Sequence, residues 1–106
     1  MTKAVFVYRG KRCVGFDICG HSGYADEGGD IVCAAISASA MLTANTITEF
    51  FGCNADSSAY GTHMTLRVSC KCDSCDQLLR SFENELTALS GQYPENLKVL
   101  KITTKE

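Results

Sequence analysis

Asp30-Ile31-Val32-Cys33-Ala34-Ala35-Ile36-Ser37-Ala38-Ser39-Ala40-Met41-Leu42, running on to Phe50-Phe51-Gly52, decides how the first half of this chain folds. Asp30 precedes an apolar, small-residue run, and Asp is a favoured N-cap because its carboxylate accepts from the free amides of the first turn. Gly52 is a matching stop. The spacing predicts a helix over Ile31–Phe51 with Cys33 as its third residue. Its first half is small and apolar nearly all round. A helix without a polar face is expected to be buried, and small side chains let it approach its neighbours closely. The sequence therefore reads as a central helix.

Working back towards the N-terminus, Ala4–Tyr8 reads as a strand and Arg9-Gly10-Lys11-Arg12 as a turn. Cys13–His21 is a returning strand in which Val14, Phe16 and Ile18 alternate with Gly15, Asp17 and Cys19. On that alternation Cys13 and Cys19 share the face opposite Phe16. Working forward, Cys53–Cys70 reads as a second hairpin turning at Tyr60-Gly61-Thr62. Met64, Leu66, Val68 and Cys70 would face the core, and His63, Thr65, Arg67 and Ser69 would face away. A second helix spans about Ser74 to Ser90, capped by Asp73 and ended by Gly91 and Pro94. Its Leu78, Leu79, Phe82, Leu86 and Leu89 fall on one stripe. Asn96–Thr103 is a final strand. The order β-β-α-β-β-α-β describes an α+β fold, with both helices packed on one mainly antiparallel sheet.

The 106 residues point to a single domain over residues 1–106, large enough for one modest core. The formal charge of −2, from 10 basic and 12 acidic residues, speaks against direct nucleic-acid binding, which shows as a basic stripe. The basic residues are scattered apart from the Arg9–Arg12 turn. No 18-residue apolar run and no export signal are read, so no membrane association and a cytoplasmic location are expected. Seven cysteines are an odd count, which a fully paired framework within one chain cannot use. Reduced thiols are expected in a cytoplasmic protein.

Two of the reactive side chains frame a polar, glycine-bearing loop: His21 at the end of the second strand and Cys33 at the start of the helix. A thiol near an imidazole is the minimum of a cysteine nucleophile with its base. Helix N-termini favour a thiolate through unpaired amides and the helix dipole. The Asp30 charge would work against this if it approached the sulfur, and its bond to the cap amides is expected to hold it away. The competing reading makes Cys33 a small packed hydrophobe and His21 a hydrogen-bonded surface residue, in a non-catalytic, partner-binding dimer. His63 is far in sequence from any well-placed thiol.

Gly28-Gly29 before a helix start is too short and too acidic in context for a P-loop, and it lacks the lysine. Cys70-Lys71-Cys72-Asp73-Ser74-Cys75 has a zinc-like spacing. A structural zinc needs four ligands, however, and no obvious fourth follows, unless the fold brings Cys53 or His63 close. No metal and no cofactor are assigned on sequence.

Gly20-His21-Ser22, a glycine-containing loop, and Gly29-Asp30-Ile31-Val32-Cys33-Ala34-Ala35-Ile36-Ser37 together resemble the signature of the ribosomal-processing cysteine proteases, abbreviated Prp. Length, element order, the small-residue helix and the amphipathic second helix match as well, so the resemblance covers essentially the whole chain. It implies a cytoplasmic homodimer of Firmicutes and related bacteria. Such proteases remove an N-terminal extension, carrying a Phe-Phe-containing motif, from a large-subunit ribosomal protein. It implies Cys33 as nucleophile and His21 as base, with Asp30, Ser37, Gly28 and Gly29 as site support. An acyl-enzyme is expected, with the Cys33 amide among the oxyanion donors, and a Gly28-Gly29 hinge that opens the loop. Asp17, Asp26 and Asp30 are all candidates to orient the imidazole. Tyr24 or Phe50 are candidate walls for an apolar peptide cleft. Most of the seven cysteines, the Cys70–Cys75 group included, lie outside the family pattern.

Overall fold

Alternation along the first strands builds the centre of the sheet. β1 (Thr2–Arg9) turns through Gly10-Lys11 into β2 (Arg12–Cys19), and Gly10 has φ +61°, which a glycine adopts without strain. The computed structural model describes residues 1–26 and 30–104. Pairing is antiparallel, with Phe6 opposite Phe16, but the register slips between Val7 and Tyr8, so that Val7 faces Gly15 and Tyr8 faces Cys13. Val14 is the extra residue of a β-bulge, which resets the facing of everything before it. The main core cluster therefore takes Cys13 with Phe16 and Ile18, while Val14 is buried outside it, against strict alternation. Cys13 is buried and Cys19 exposed, so the two do not share an environment. At Gly15 a Cβ would sit 2.0 Å from the Leu66 carbonyl oxygen, so only glycine lets the neighbouring strand approach this closely.

β3 (Ala55–Tyr60) and β4 (His63–Val68) form the second hairpin around Gly61-Thr62, as expected, and β4 pairs antiparallel with β2. Leu66 and Val68 are buried and Met64 half-buried, while Cys70 lies past the strand and is exposed, contrary to the alternation. β5 (Leu97–Thr104) runs parallel to β1, completing the order β3-β4-β2-β1-β5.

α1 (Ile31–Asn45) starts at its Asp30 cap and runs into a π turn, Thr46–Phe50, before Gly52 at φ +65° ends it. Hydroxyls of Ser39, Thr43, Thr46 and Thr48 bond back to carbonyls one turn earlier, a use of Ser and Thr that bends helices. Only one side of this helix is covered, by way of Val32, Ile36, Ala40, Thr43 and Ile47. Ile31, Met41 and Leu42 are exposed, Leu42 by 70% and Phe50 beyond them by 82%. The expectation of an all-round buried helix is thus corrected. A single sheet offers one contact face, and the other apolar face has no cover among the described residues. Contrary to the sequence reading, Ile31–Phe50 is long and apolar enough by length and composition to cross a membrane. Its buried stripe instead packs into the protein core.

α2 (Asp73–Gln92) is capped by Cys72, whose sulfur accepts from the Cys75 amide at 3.2 Å, rather than by Asp73. Asp73 is drawn off to Arg12 at 2.6 Å. Gly91 remains helical, and the chain leaves the helix at Tyr93, just before Pro94. Both helices lie against the sheet. Phe82 of α2 meets Phe6 and Phe16 edge-on at centroid distances of 5.5 and 5.3 Å, the favoured aromatic geometry.

Candidate active site

The segment after β2 is held from several directions. Gly20 has φ +94°, and a Cβ there would lie 2.7 Å from the Met1 carbonyl oxygen. The Thr2 hydroxyl donates to the Gly20 carbonyl at 3.1 Å. Ser22 is buried, and the Asn96 side-chain amide donates to its carbonyl at 3.0 Å. The Ser22 hydroxyl donates to the Asp30 carboxylate and accepts from the Tyr24 amide. The loop carrying His21 is therefore tied to the start of α1 through one serine.

At the helix start, the Asp30 carboxylate accepts from the Cys33 amide at 2.9 Å, the cap predicted from sequence. The Ser22 hydroxyl, followed by the Cys33 amide, pulls the Asp30 carboxyl down to about 2. The Ser22 backbone N–H also donates to the Cys33 sulfur, at 3.4 Å. Because the Cys33 amide is engaged by Asp30, it is not free to bind an oxyanion, which corrects its expected role.

Cys33 is half-exposed and His21 exposed, and both line one cleft of about 560 Å³. Asp30, Ser37 and Asp26 line it as well. Its apolar surface comes from Ile18, Ile36 and Met64, with the Gly61-Thr62 turn at its rim. Sequence reasoning named none of these as cleft residues, because β4 reaches β2 only through long-range pairing. The residues it did name as walls are elsewhere: Phe50 projects from the far end of α1, and Tyr24 packs edge-on against Tyr93 at 5.3 Å. Asp17 is occupied by His63, 2.6 Å away, which removes it as an orienter of His21. Among the described residues no side chain hydrogen-bonds the His21 ring. Gly28 and Gly29 lie outside the described residues.

Compared with known protein families, residues 1–98 match the model for cysteine protease Prp. The chain belongs to the Prp family of cysteine proteases. Among solved structures, the essential ribosomal-processing protease Prp of Staphylococcus aureus, bound covalently to a product peptide, matches with a TM-score of 0.90. That match has 22% identity and covers 96% of this chain and 100% of that one. The same protease with a substrate peptide gives 0.84 at 21% identity, over 96% and 100% of the two chains. A Streptococcus mutans protein, SMU.848, gives 0.80 at 24% identity, over 98% and 96%. No curated protein matches. As a Prp-family chain, this protein is a cysteine protease built on the shared fold.

The lowered Asp30 carboxyl makes the helix start sensitive to acid. A carboxylate held below its unfolded value of 3.8 stabilises the native state above about pH 4, and that contribution is lost as pH falls towards about 2. Asp30→Asn is expected to lower stability at pH 7 and to converge with the wild type near pH 2. Denaturant midpoints measured across that range check this, and a constant difference at every pH would show that the carboxylate charge is not what holds the cap.

Proposed function

We propose that Cys33 is the nucleophile and His21 the general base of an endopeptidase that removes the N-terminal extension of a large-subunit ribosomal protein. The observation that carries this reading is the cleft: the two side chains line one cavity at the start of α1, in a chain of the Prp family. The Cys33 sulfur attacks the scissile carbonyl, forming a C–S bond, and its proton passes to His21. His21 then protonates the leaving amine, and water releases the acyl-enzyme. The Ser22 N–H, already directed at the sulfur, is the amide best placed for the developing oxyanion. Ile18, Ile36 and Met64 suit a peptide with aromatic side chains. The S. aureus relative solved with substrate and product peptides supports a peptide ligand.

A fluorogenic peptide spanning the extension, with its Phe-Phe pair, is expected to be cut at one bond by the wild type. The same peptide with Ala-Ala in place of Phe-Phe is expected to be cut far more slowly. Equal cleavage of both would refute recognition by the apolar cleft.

The protein acts in this reading as a cytoplasmic homodimer. The exposed stripe of Ile31, Met41 and Leu42 on α1 supports pairing with a second copy, since apolar stripes of this kind mark protein contacts. Leu42→Asp is expected to convert a dimer into a monomer by sedimentation. A wild type that already sediments as a single chain overturns the assignment.

A further inference from the structure

Outside the cleft, the fold gathers thiols that the protease does not use. The sulfurs of Cys53, Cys72 and Cys75 all lie within 4.8 Å of one another. Cys75 is buried and its sulfur is 3.2 Å from that of Cys53. Cys70, two residues before Cys72, is exposed at the edge of this group of three. Cys53 follows the Gly52 turn that ends the first helix, and its amide is fixed to the Ile47 carbonyl at 3.1 Å. The Ser69 amide holds the Asn54 carbonyl at 3.1 Å, which brings the exit of β4 against the residue after Cys53. Two separate stretches of chain are thus locked together with their thiols converging.

We propose that Cys53, Cys70, Cys72 and Cys75 form a structural zinc site. Zinc–sulfur bonds of about 2.3 Å in a tetrahedron place sulfurs roughly 3.8 Å apart, so the three converging sulfurs need only small shifts, and the exposed Cys70 side chain swings in as the fourth ligand. The C-x-x-C step from Cys72 to Cys75 is a recurrent zinc half-site, and of the two partners open on sequence, Cys53 or His63, the fold brings Cys53. Soft thiolates select zinc over magnesium or calcium. The Cys75 amide already donates to the Cys72 sulfur, the kind of outer hydrogen bond that orients a metal ligand. Binding is not a redox step: four thiols each give up a proton and four Zn–S bonds form. Four protein ligands leave no open position, so the ion would be structural. It would clamp the end of α1 remote from Cys33 to the first turn of α2. A disulfide between Cys53 and Cys75 would use two of these sulfurs and strand the others.

The test is elemental analysis of protein purified without chelator, with cobalt substitution of the metal-free protein. Parallel samples carry Cys33→Ala, to remove the thiol of the cleft, and Cys19→Ser as a remote control. About one zinc per chain is expected in the wild type, Cys33→Ala and Cys19→Ser, and loss of that zinc in Cys72→Ser. The wild-type cobalt form should show tetrahedral thiolate absorption, a readout that needs no variant to fold. Its sulfur-to-cobalt charge-transfer band should weaken in Cys70→Ser. An unchanged band there would overturn the four-thiolate assignment. So would zinc that disappears with Cys33→Ala, a reduced and folded wild type that takes up no zinc, or a protein recovered two hydrogens lighter with Cys53 joined to Cys75.

Discussion

Cys33→Ala is expected to leave the proposed ribosomal-protein peptide uncut while the protein stays folded. Removing the nucleophile of a covalent protease costs roughly 10⁶ in turnover, which brings the rate to background in an ordinary assay. His21→Ala should cost about 10²–10⁴, since the thiol keeps some intrinsic nucleophilicity without its base. The fold should tolerate the first change. Cys33 is only half-buried, its sulfur accepts a single long bond from the Ser22 amide, and alanine is the best helix former at a helical position. The two readouts separate catalysis from structure. A Cys33→Ala protein that turns over peptide near the wild-type rate would remove the thiol from the mechanism. One that unfolds would make Cys33 a packing residue.

Phe82→Ala is the largest stability change expected in this chain. Phe82 is buried, and its ring closes an edge-to-face cluster with Phe6 and Phe16, joining α2 to the two strands at the sheet centre. Truncating a buried phenylalanine typically costs about 3–5 kcal/mol, from lost transfer energy and the cavity left behind. That is a large share of the roughly 5–15 kcal/mol available to a domain. Each kcal/mol lowers Tm by about 4–8 °C at this size. A urea titration should show a lower midpoint at an unchanged slope. A loss below about 1 kcal/mol would mean that the three rings do not form one packed unit.

What the sequence revealed was local. Asp30 as cap and Cys33 as third helical residue follow from chemistry within four positions, and the structure has both. The β-β-α-β-β-α-β order follows from periodicity in the same way. Errors arose where a distant residue decides the outcome. The bulge at Val14 turns Cys13 into the core, where its backbone amide bonds the Asp76 carboxylate of α2. Asp73 has the better capping propensity, but Arg12 takes its carboxylate and Cys72 caps instead. For α1, composition records that the helix is apolar but not whether its cover belongs to the same chain. The cleft floor joins residues that only the sheet order brings together, so no local signal could have found it, whereas the C-x-x-C half of the thiol cluster was visible in the spacing and only the approach of Cys53 depended on the fold.

The ties on Ser22 have a consequence for when this protein becomes competent. Its carbonyl is held by an asparagine 74 residues further along, and β1 is flanked on one side by the last strand. His21 and Cys33 are translated well before Asn96 and β5, yet the frame that positions them closes only when those later segments have left the ribosome. Contacts this far apart in sequence form late, after the loop-closure cost has been met. A nascent chain therefore carries the Cys33 thiol and the His21 imidazole unassembled until a segment far downstream of both has emerged.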